Sequence, residues 1–309
     1  MAAADLRIHP ELSARLTTVQ GVQVREDSVF TDDRGRERKL IRKPAEEYLE
    51  KLQEILRTVL APDEAVLYLA RCQSPVSVFE QITLGWYIYY VSSVVVVFTN
   101  RRLIHFTVGW RGRWKRMLRA VSWGDLEEGK IAGWLSKTLN LKYRTGKKEK
   151  YWKISRMDGN KIKLVLEAIF SAGGHESTSA QEIVSLCPEC RSALTPRVYA
   201  CPKCATAFKD EETMARRSWL IPGGGYFYTR NWFLGVGDFI VEAYLLILMI
   251  FSALFAAGII VDEPNPGEEP FTGGPAWIVA GLLAAVLVVE KLLTLHHCRR
   301  FVRNFIPKD

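Results

Sequence analysis

Two pairs of cysteines lie between a basic, strand-rich half of the chain and two long apolar segments, and this order limits the possible folds. The pairs are Cys187-Pro-Glu-Cys190 and Cys201-Pro-Lys-Cys204, with ten residues between them. Each Cys-Pro-x-Cys pair can place two thiolates on a tight turn, and two such turns complete a tetrahedron around zinc. The spacing predicts a structural Zn²⁺ site with these four ligands and no open position for catalysis.

A dithiol redox pair is the alternative for such motifs. Two matched pairs in a reducing compartment fit a closed structural site better than an exchange reaction. The other cysteines, Cys72 and Cys298, are far apart in sequence, so a disulfide framework is not expected. A segment of about 25 residues is too small to bury a core, and metal ligation would supply the energy that folds it.

Two segments near the C-terminus, residues 239–261 and 276–295, are apolar throughout most of their length. Each is long enough to cross the roughly 30 Å hydrocarbon core of a bilayer. The first contains one charged residue, Glu242, and the second contains Glu290 and Lys291 near its end. The pattern predicts a transmembrane hairpin.

Charge on either side of the two apolar segments predicts their orientation. The connecting loop contains glutamates but no Lys or Arg, whereas arginines flank the outer ends. Because basic flanks stay in the cytoplasm, we expect a multi-pass protein of the cell inner (cytoplasmic) membrane with both termini cytoplasmic. Glu242 and Glu290 then lie near the cytoplasmic boundary. They either reach the headgroups or pair with Lys291, and a proton or ion path is the functional alternative.

Positive charge is concentrated between Arg101 and Lys163, where 18 Lys and Arg stand against 5 Asp and Glu. Beside a membrane anchor, this excess favours anionic headgroups at about 1 kcal/mol for each cation near the surface. Nucleic acid is the competing partner, and a solvated sheet face is the simplest interpretation. The predicted contact residues for lipid or a partner are Arg111, Arg113, Lys115, Arg116, Arg119, Lys147 and Lys148.

Hydrophobic periodicity predicts the elements of the first half. Apolar residues at helical spacing indicate an amphipathic helix over Pro44 to Leu60 and another over Lys161 to Phe170. Between them, short runs of β-branched and aromatic residues indicate strands. The uncharged stretch Ile82 to Phe98 is at the short limit for a membrane span. Its composition favours a hairpin of buried strands, one of them over Gly85 to Val91.

The order of strands followed by a closing helix, with the turn Thr99-Asn100-Arg101-Arg102-Leu103, resembles the bacterial pleckstrin-homology-like and GRAM-like domains. The resemblance covers roughly Leu56 to Ala172. It implies an α+β fold, a curved β-barrel or sandwich with a C-terminal helix. Such domains often bind phosphoinositides, other lipids or peptides, and other members serve as docking scaffolds, so the fold does not fix the ligand.

These segments predict a multidomain chain. Its parts are a charged segment with an amphipathic helix (1–54), a pleckstrin-homology-like domain (55–172), a linker (173–185), a zinc ribbon (186–208), an interfacial aromatic and Gly-rich segment (209–238), the transmembrane hairpin (239–297) and a basic cytoplasmic tail (298–309).

Function is predicted from this layout. No set of nucleophile, base and oxyanion donors can be assembled from the motifs, so we expect a non-enzymatic membrane adaptor or sensor. Its basic domain would bind anionic lipid or a protein partner. Two alternatives stay open: a membrane-tethered regulator that binds nucleic acid, and an accessory subunit of a transporter that uses Glu242 and Glu290.

Overall fold

The structure is a computed structural model that describes residues 16–109, 111–173, 175–178, 180–260 and 273–308. The chain divides into two units, Met1–Thr206 and Ala207–Asp309. The first contains the sheet and the paired cysteines, and the second contains both long apolar helices. The residues before Leu16, which begin the predicted charged segment 1–54, lie outside the described residues. Most of the acidic connecting loop, from which the membrane orientation is predicted, also lies outside them.

The first unit is built from an antiparallel sheet and several helices. Its strands are β1 (Leu16–Val19), β2 (Val22–Arg25), β3 (Val66–Gln73), β4 (Ser93–Thr99), β5 (Arg102–Val108), β6 (Trp114–Ser122), β7 (Leu126–Ala132), β8 (Lys137–Tyr143), β9 (Lys148–Ile154) and β10 (Val184–Leu186). Its α-helices are α1 (Glu26–Val29), α2 (Lys39–Val59), α3 (Val78–Leu84), α4 (Ile88–Val91) and α5 (Arg156–Ala172).

The strands pair in the order β10-β6-β5-β4-β3-β9-β8-β7, and β2 attaches to β3 through one parallel residue pair. The predicted antiparallel sheet and its closing helix α5 are confirmed. The pairing runs as an open path, whereas the resemblance implies a closed barrel or a sandwich. A 3-10 turn at Trp123–Asp125 separates β6 from β7, and no pairing joins these two strands in the described part of the chain.

The central strands are buried on both faces. Side chains alternate across a strand, so Val94, Val96 and Phe98 of β4 enter one hydrophobic core and Val95 and Val97 enter the other. Helix α2 covers the second core, and α5 covers the first together with β8 and β9. A continuous apolar strand is typical of a sheet that is covered on both sides. This arrangement explains the Val-rich run that resembled a short membrane span.

The strand predicted over Gly85 to Val91 is wrong, because this segment forms a 3-10 turn and the short helix α4. Helix α3 begins just before it at a capping box. The Ser77 hydroxyl accepts a hydrogen bond from the Glu80 N–H at 3.2 Å, and the Glu80 carboxylate accepts one from the Ser77 N–H at 2.8 Å. A capping box satisfies two N–H groups that have no helical partner. This local gain outweighs the β propensity of the aromatic residues that follow.

The Thr-Asn-Arg-Arg segment forms the turn between β4 and β5. The Thr99 hydroxyl accepts hydrogen bonds from the backbone N–H groups of Arg101 and Arg102 at 3.2 and 3.0 Å. The Asn100 side chain accepts one from the N–H of Ala65 at 3.0 Å. These contacts tie the turn to the connection between α2 and β3. The motif that carries the resemblance therefore fixes the fold locally.

The second unit is helical and contains α6 (Glu211–Leu220), α7 (Gly224–Tyr228), α8 (Trp232–Ala256) and α9 (Gly274–Val302). Helices α8 and α9 pack against each other. Their mean hydropathies reach 2.4 and 2.3, and only 11% and 28% of their most apolar windows are buried. Both are long and apolar enough to cross a membrane, which agrees with the predicted segments as far as the described residues extend. Low burial distinguishes them from core helices of a soluble domain.

The ends of the second unit pair with each other. Lys209 donates its N–H to the carbonyl of Ile306 at 2.8 Å, and Lys308 donates to the carbonyl of Ala207 at 2.9 Å. The Lys308 ammonium also binds the Asp210 carboxylate at 2.8 Å. The C-terminal tail is therefore folded against the residues that open the unit.

Candidate functional site

The four predicted zinc ligands converge in the first unit. The Sγ atoms of Cys187 and Cys204 lie 3.5 Å apart, and those of Cys190 and Cys201 lie 3.4 Å apart. All four sulfurs lie within 4.8 Å of one another and none is in a disulfide. Zinc–sulfur bonds of about 2.3 Å in a tetrahedron separate the sulfurs by roughly 3.8 Å. The cluster is therefore close to the size that a zinc ion requires.

The two cysteine pairs share one backbone pattern. Cys187 accepts a hydrogen bond at its carbonyl from the N–H of Arg191, and Cys201 accepts the equivalent bond from Ala205, both at 3.0 Å. Arg191 and Ala205 have φ angles of 63° and 56°, in the left-handed region that few non-glycine residues adopt. The repetition of a strained residue at the same place in each turn indicates two matched knuckles.

Sequence reasoning missed two hydroxyl residues that contact the sulfurs. The Ser192 hydroxyl lies 2.9 Å from the Sγ of Cys190 and 3.2 Å from that of Cys201, and the Thr206 hydroxyl lies 3.0 Å from the Sγ of Cys204. Each hydroxyl stands two residues after the second cysteine of its pair, and this shared offset was the available signal. Hydrogen-bond partners of this kind orient the side chains that bind a metal directly.

The pKa values of two thiols in the cluster are shifted in opposite directions. Burial raises the pKa of the Cys187 thiol to about 12. At Cys201, burial acts in the same direction, but hydrogen bonds from Ser192 and from backbone N–H groups outweigh it and lower the pKa to about 6. Thiolate is the form that ligates a metal. The described residues therefore favour the ligating form at Cys201, and a bound cation would favour it at Cys187.

The cysteine module is attached to the edge of the sheet. Strand β10 pairs antiparallel with β6, with Leu186 opposite Leu118. Glu189, which lies between the first two cysteines, forms an ion pair with Arg116 of β6. The module therefore covers a strand edge that would otherwise expose unpaired backbone groups.

Three of the seven predicted contact residues are paired within the first unit. The pairs are Arg116 with Glu189, Arg119 with Glu149 and Lys147 with Glu182. Lys147 also lies 3.9 Å from Glu149, so the cations of β6 and of the β8–β9 turn meet at one carboxylate. These pairs reduce the charge that this surface offers to a ligand.

The other four contact residues differ in exposure. Arg111, Arg113 and Lys148 are exposed and form no ion pair within the described residues. Lys115 is half-buried, and burial lowers its pKa. Contact of these residues with lipid or a partner stays a prediction.

An exposed apolar pair at the β7–β8 turn was not predicted. Trp134 and Leu135 are 77% and 83% exposed. Lys130 of β7 is exposed and Lys137 of β8 is half-buried, so the apolar tip stands between two basic strands. A Trp-Leu pair inside a turn was the signal, since turns are usually polar. An exposed apolar surface of this kind is typical of a contact site.

A second apolar surface lies on the helical segment before β4. Phe79, Ile82 and Trp86 are 47%, 75% and 69% exposed. The Lys153 ammonium lies 3.3 Å from the centre of the nearby Tyr89 ring. This surface again combines aromatic rings with a cation.

A groove of the described first unit lies between β7 and α5. Its volume is about 640 Å³, and its lining includes Ile131, Leu166 and Phe170 together with the charged side chains of Lys130 and Lys163. Strand β7 is the last strand of the sheet, so the groove runs beside an open edge.

In the second unit, Glu242 is paired with Lys291, which is one of the alternatives that the sequence predicted. Its side chain is fully buried, and its Oε2 accepts a hydrogen bond from Lys291 at 2.5 Å and from the Gly223 N–H at 3.2 Å. Lys291 also donates to the carbonyl of Ser218 at 2.6 Å. Glu242 is therefore buried and paired inside the unit, and its depth relative to the headgroups stays a prediction.

Asp238 is a third carboxylate beside Glu242 and Glu290. One oxygen from each of the three lies within 4.8 Å of the others. Thr294 donates to Glu290 at 2.8 Å and lies 3.4 Å from both Asp238 oxygens. The predicted segment began at residue 239 and so excluded Asp238. The signal was its position four residues before Glu242, which places both on one helix face.

Comparisons of the chain with family profiles, curated proteins and solved structures found no match. The resemblance to pleckstrin-homology-like domains therefore has no support from a relative.

Proposed function

We propose that the protein is a membrane-anchored, zinc-stabilised adaptor or sensor without enzymatic activity, and that its basic sheet unit binds the surface of an anionic bilayer. The sheet unit would have a pleckstrin-homology-like fold. The observation that carries this proposal is the exposed pair Trp134 and Leu135 at a turn between Lys130 and Lys137. An aromatic tip flanked by cations suits the interface, where Trp sits at headgroup level and lysines attract anionic lipid.

Helices α8 and α9 would be the anchor. Their apolar side chains are largely unburied, and a helix satisfies its own backbone groups inside a bilayer. With the arginine-rich flanks on the inner side, both termini would be cytoplasmic. The sheet unit would then be held near the inner leaflet by its own chain, which raises the effective concentration of a weak lipid-binding surface.

Zinc would have a structural role. Cys187, Cys190, Cys201 and Cys204 provide a closed set of four sulfur ligands, and this set leaves no position for a substrate. When bound, the ion would fix the two knuckles and so keep β10 paired with β6. The cation Arg116 would then stay bound to Glu189 of the first knuckle.

Flotation of residues 1–206 with vesicles tests the lipid proposal. The fragment, checked for cooperative unfolding and for zinc content, is mixed with phosphatidylcholine vesicles with or without phosphatidylserine. We expect flotation only with the anionic vesicles. It should weaken with salt, because the Debye length falls from about 30 Å at 0.01 M to about 8 Å at 0.15 M.

Two results would count against bilayer binding. If the folded fragment stays at the bottom of the gradient with anionic vesicles at low salt, the proposal is wrong, and the groove between β7 and α5 becomes the place to search for a protein partner by crosslinking. If DNA or RNA binds the fragment more tightly than vesicles do, with a steep salt dependence, the nucleic-acid alternative is preferred.

A further inference from the structure

Three carboxylates and one ammonium group meet where α8 packs on α9. Asp238 and Glu242 lie one turn apart on α8, and Glu290 and Lys291 are neighbours on α9. One oxygen of each carboxylate lies within 4.8 Å of the other two. Lys291 is bound to Glu242 at 2.5 Å. If all four groups are ionised, the cluster has a net charge of −2 beside the apolar surface of two long helices.

An uncompensated charge in such a place is costly. Each buried ion loses several kcal/mol of hydration unless an opposite charge or hydrogen bonds replace the water. Lys291 compensates one carboxylate only. The remaining two negative charges require protons or a bound cation.

The hydrogen bonds around the cluster are incomplete, and this is an independent indication of a ligand. The Glu242 side chain is fully buried, yet its Oε1 has no hydrogen-bond partner. The Oε2 of Glu290 also has none. Lys291 and the Gly223 N–H both bind the other oxygen of Glu242, and the Thr294 hydroxyl has one proton to donate. A buried acceptor without a donor costs its full desolvation energy.

We propose that Asp238, Glu242 and Glu290 bind a hard divalent cation of the Mg²⁺ or Mn²⁺ class. An all-oxygen donor set selects such ions, whereas the four thiolates of the first unit select zinc. A doubly charged ion together with Lys291 brings the net charge of the cluster to zero. Bound through these oxygens, the ion would also supply the partner that Glu242 Oε1 and Glu290 Oε2 lack. Because the ligands come from both helices, the ion crosslinks α8 to α9.

Manganese binding to the full-length protein tests the site. The protein is purified in detergent with zinc bound and other divalent cations removed, and is titrated with MnCl₂ while electron paramagnetic resonance reports the free Mn²⁺. We expect one saturable site per chain and a higher midpoint of thermal unfolding when it is filled. MgCl₂ should compete with Mn²⁺.

Conservative variants assign the ligands. Asp238→Asn and Glu290→Gln should each weaken Mn²⁺ binding at least tenfold and reduce the thermal shift. Glu212→Gln removes an exposed carboxylate of the same unit and should bind Mn²⁺ like the wild type. Zinc content should stay the same in all three variants. If Glu290→Gln aggregates, Asp238→Asn alone provides the measurement.

The proposal is overturned if the wild type shows no saturable Mn²⁺ site. It is also overturned if monodisperse Asp238→Asn protein binds Mn²⁺ with wild-type affinity. In either case the excess negative charge is neutralised by protons. This site lies in the second unit, so its failure leaves the lipid proposal for the sheet unit unaffected.

Discussion

Arg102 donates two hydrogen bonds to the buried carboxylate of Glu64, from Nε at 2.9 Å and from Nη2 at 2.8 Å. The Thr99 hydroxyl binds the same carboxylate at 2.7 Å. Arg102 also donates to the carbonyl of Val59, the last residue of α2, at 2.7 Å. The β4–β5 turn is thereby connected to the helix that covers one core. Thr99 and Arg102 of the most recognisable motif in the sheet unit therefore have a structural role.

Loss of this ion pair should destabilise the sheet unit. Arg102→Met leaves the Glu64 carboxylate buried without its cation, and breaking a buried pair typically costs about 3–5 kcal/mol of unfolding free energy. The neighbouring Arg101→Met is the matched control, because Arg101 and its partner Asp63 are both half exposed and such pairs contribute about 0–1 kcal/mol. Urea unfolding of residues 1–206 measures both. Equal losses in the two variants would contradict the assigned role of Glu64.

Metal content should depend on the four paired cysteines. We expect one zinc per chain in the purified protein and none in Cys187→Ser or Cys201→Ser, because a serine cannot supply the thiolate that zinc requires. Cys72→Ala is the control, since Cys72 lies in the sheet core away from the cluster, and it should retain zinc. Elemental analysis after gel filtration decides the matter. A protein that is folded yet free of zinc after expression with the metal would contradict the zinc assignment.

The hydroxyls of Ser192 and Thr206 beside the sulfurs should affect the affinity for zinc but not the number of zinc ions bound per chain. Ser192→Ala removes the group that contacts both Cys190 and Cys201, and outer-shell changes typically weaken metal binding by about 10–100-fold. Competition with a coloured chelator measures the shift. Ser185→Ala lies in β10 two residues before the first cysteine and is the control. Unchanged zinc affinity in Ser192→Ala would show that Ser192 has no part in the site.

The sequence predicted those features that depend on spacing alone. The cluster of four cysteines follows from two Cys-Pro-x-Cys motifs, and α2, α5, α8 and α9 follow from periodicity or apolar length. The helical structure that begins near Glu80 was not predicted, because the capping box that favours it competes with the β propensity of the residues that follow. The partners of Glu242 were also not visible, since Asp238 fell outside a segment defined by hydropathy. Contacts between distant elements, such as Arg119 with Glu149, required the fold.

Acidic residues that pair with the predicted contact cations should restrain lipid binding. Glu189→Gln removes the carboxylate that pairs with Arg116, and Glu182→Gln removes the nearer of the two carboxylates beside Lys147. Each variant therefore adds up to about 1 kcal/mol of attraction to anionic lipid. Both should increase flotation of residues 1–206 with phosphatidylserine vesicles. Trp134→Ser should decrease it, whereas Trp86→Ser, at the other apolar surface, is the control. If Trp86→Ser has the larger effect, the helical segment and not the β7–β8 turn contacts the bilayer.

Lys161 should make the stability of the sheet unit depend on pH. Its ammonium is buried and donates to Thr31 Oγ1 at 2.9 Å and to the carbonyl of Asp32 at 3.2 Å. Burial lowers its pKa from 10.5 to about 8, although nearby aspartates oppose the change. The unfolded chain therefore binds more protons between about pH 8 and 10.5, and stability due to this group rises with pH in that window.

Comparison with Lys161→Met isolates this contribution from the titration of cysteines and tyrosines. Methionine has similar length and no charge, so the variant loses the dependence that Lys161 causes. Relative to Lys161→Met, the wild type should gain about 2 kcal/mol of unfolding free energy between pH 7.5 and pH 10, from roughly 1.4 kcal/mol for each unit of pKa shift. Urea unfolding of residues 1–206 at both pH values measures the difference. A constant difference would show that Lys161 keeps an ordinary pKa in the folded protein, and a decrease would reverse the sign argued from its burial.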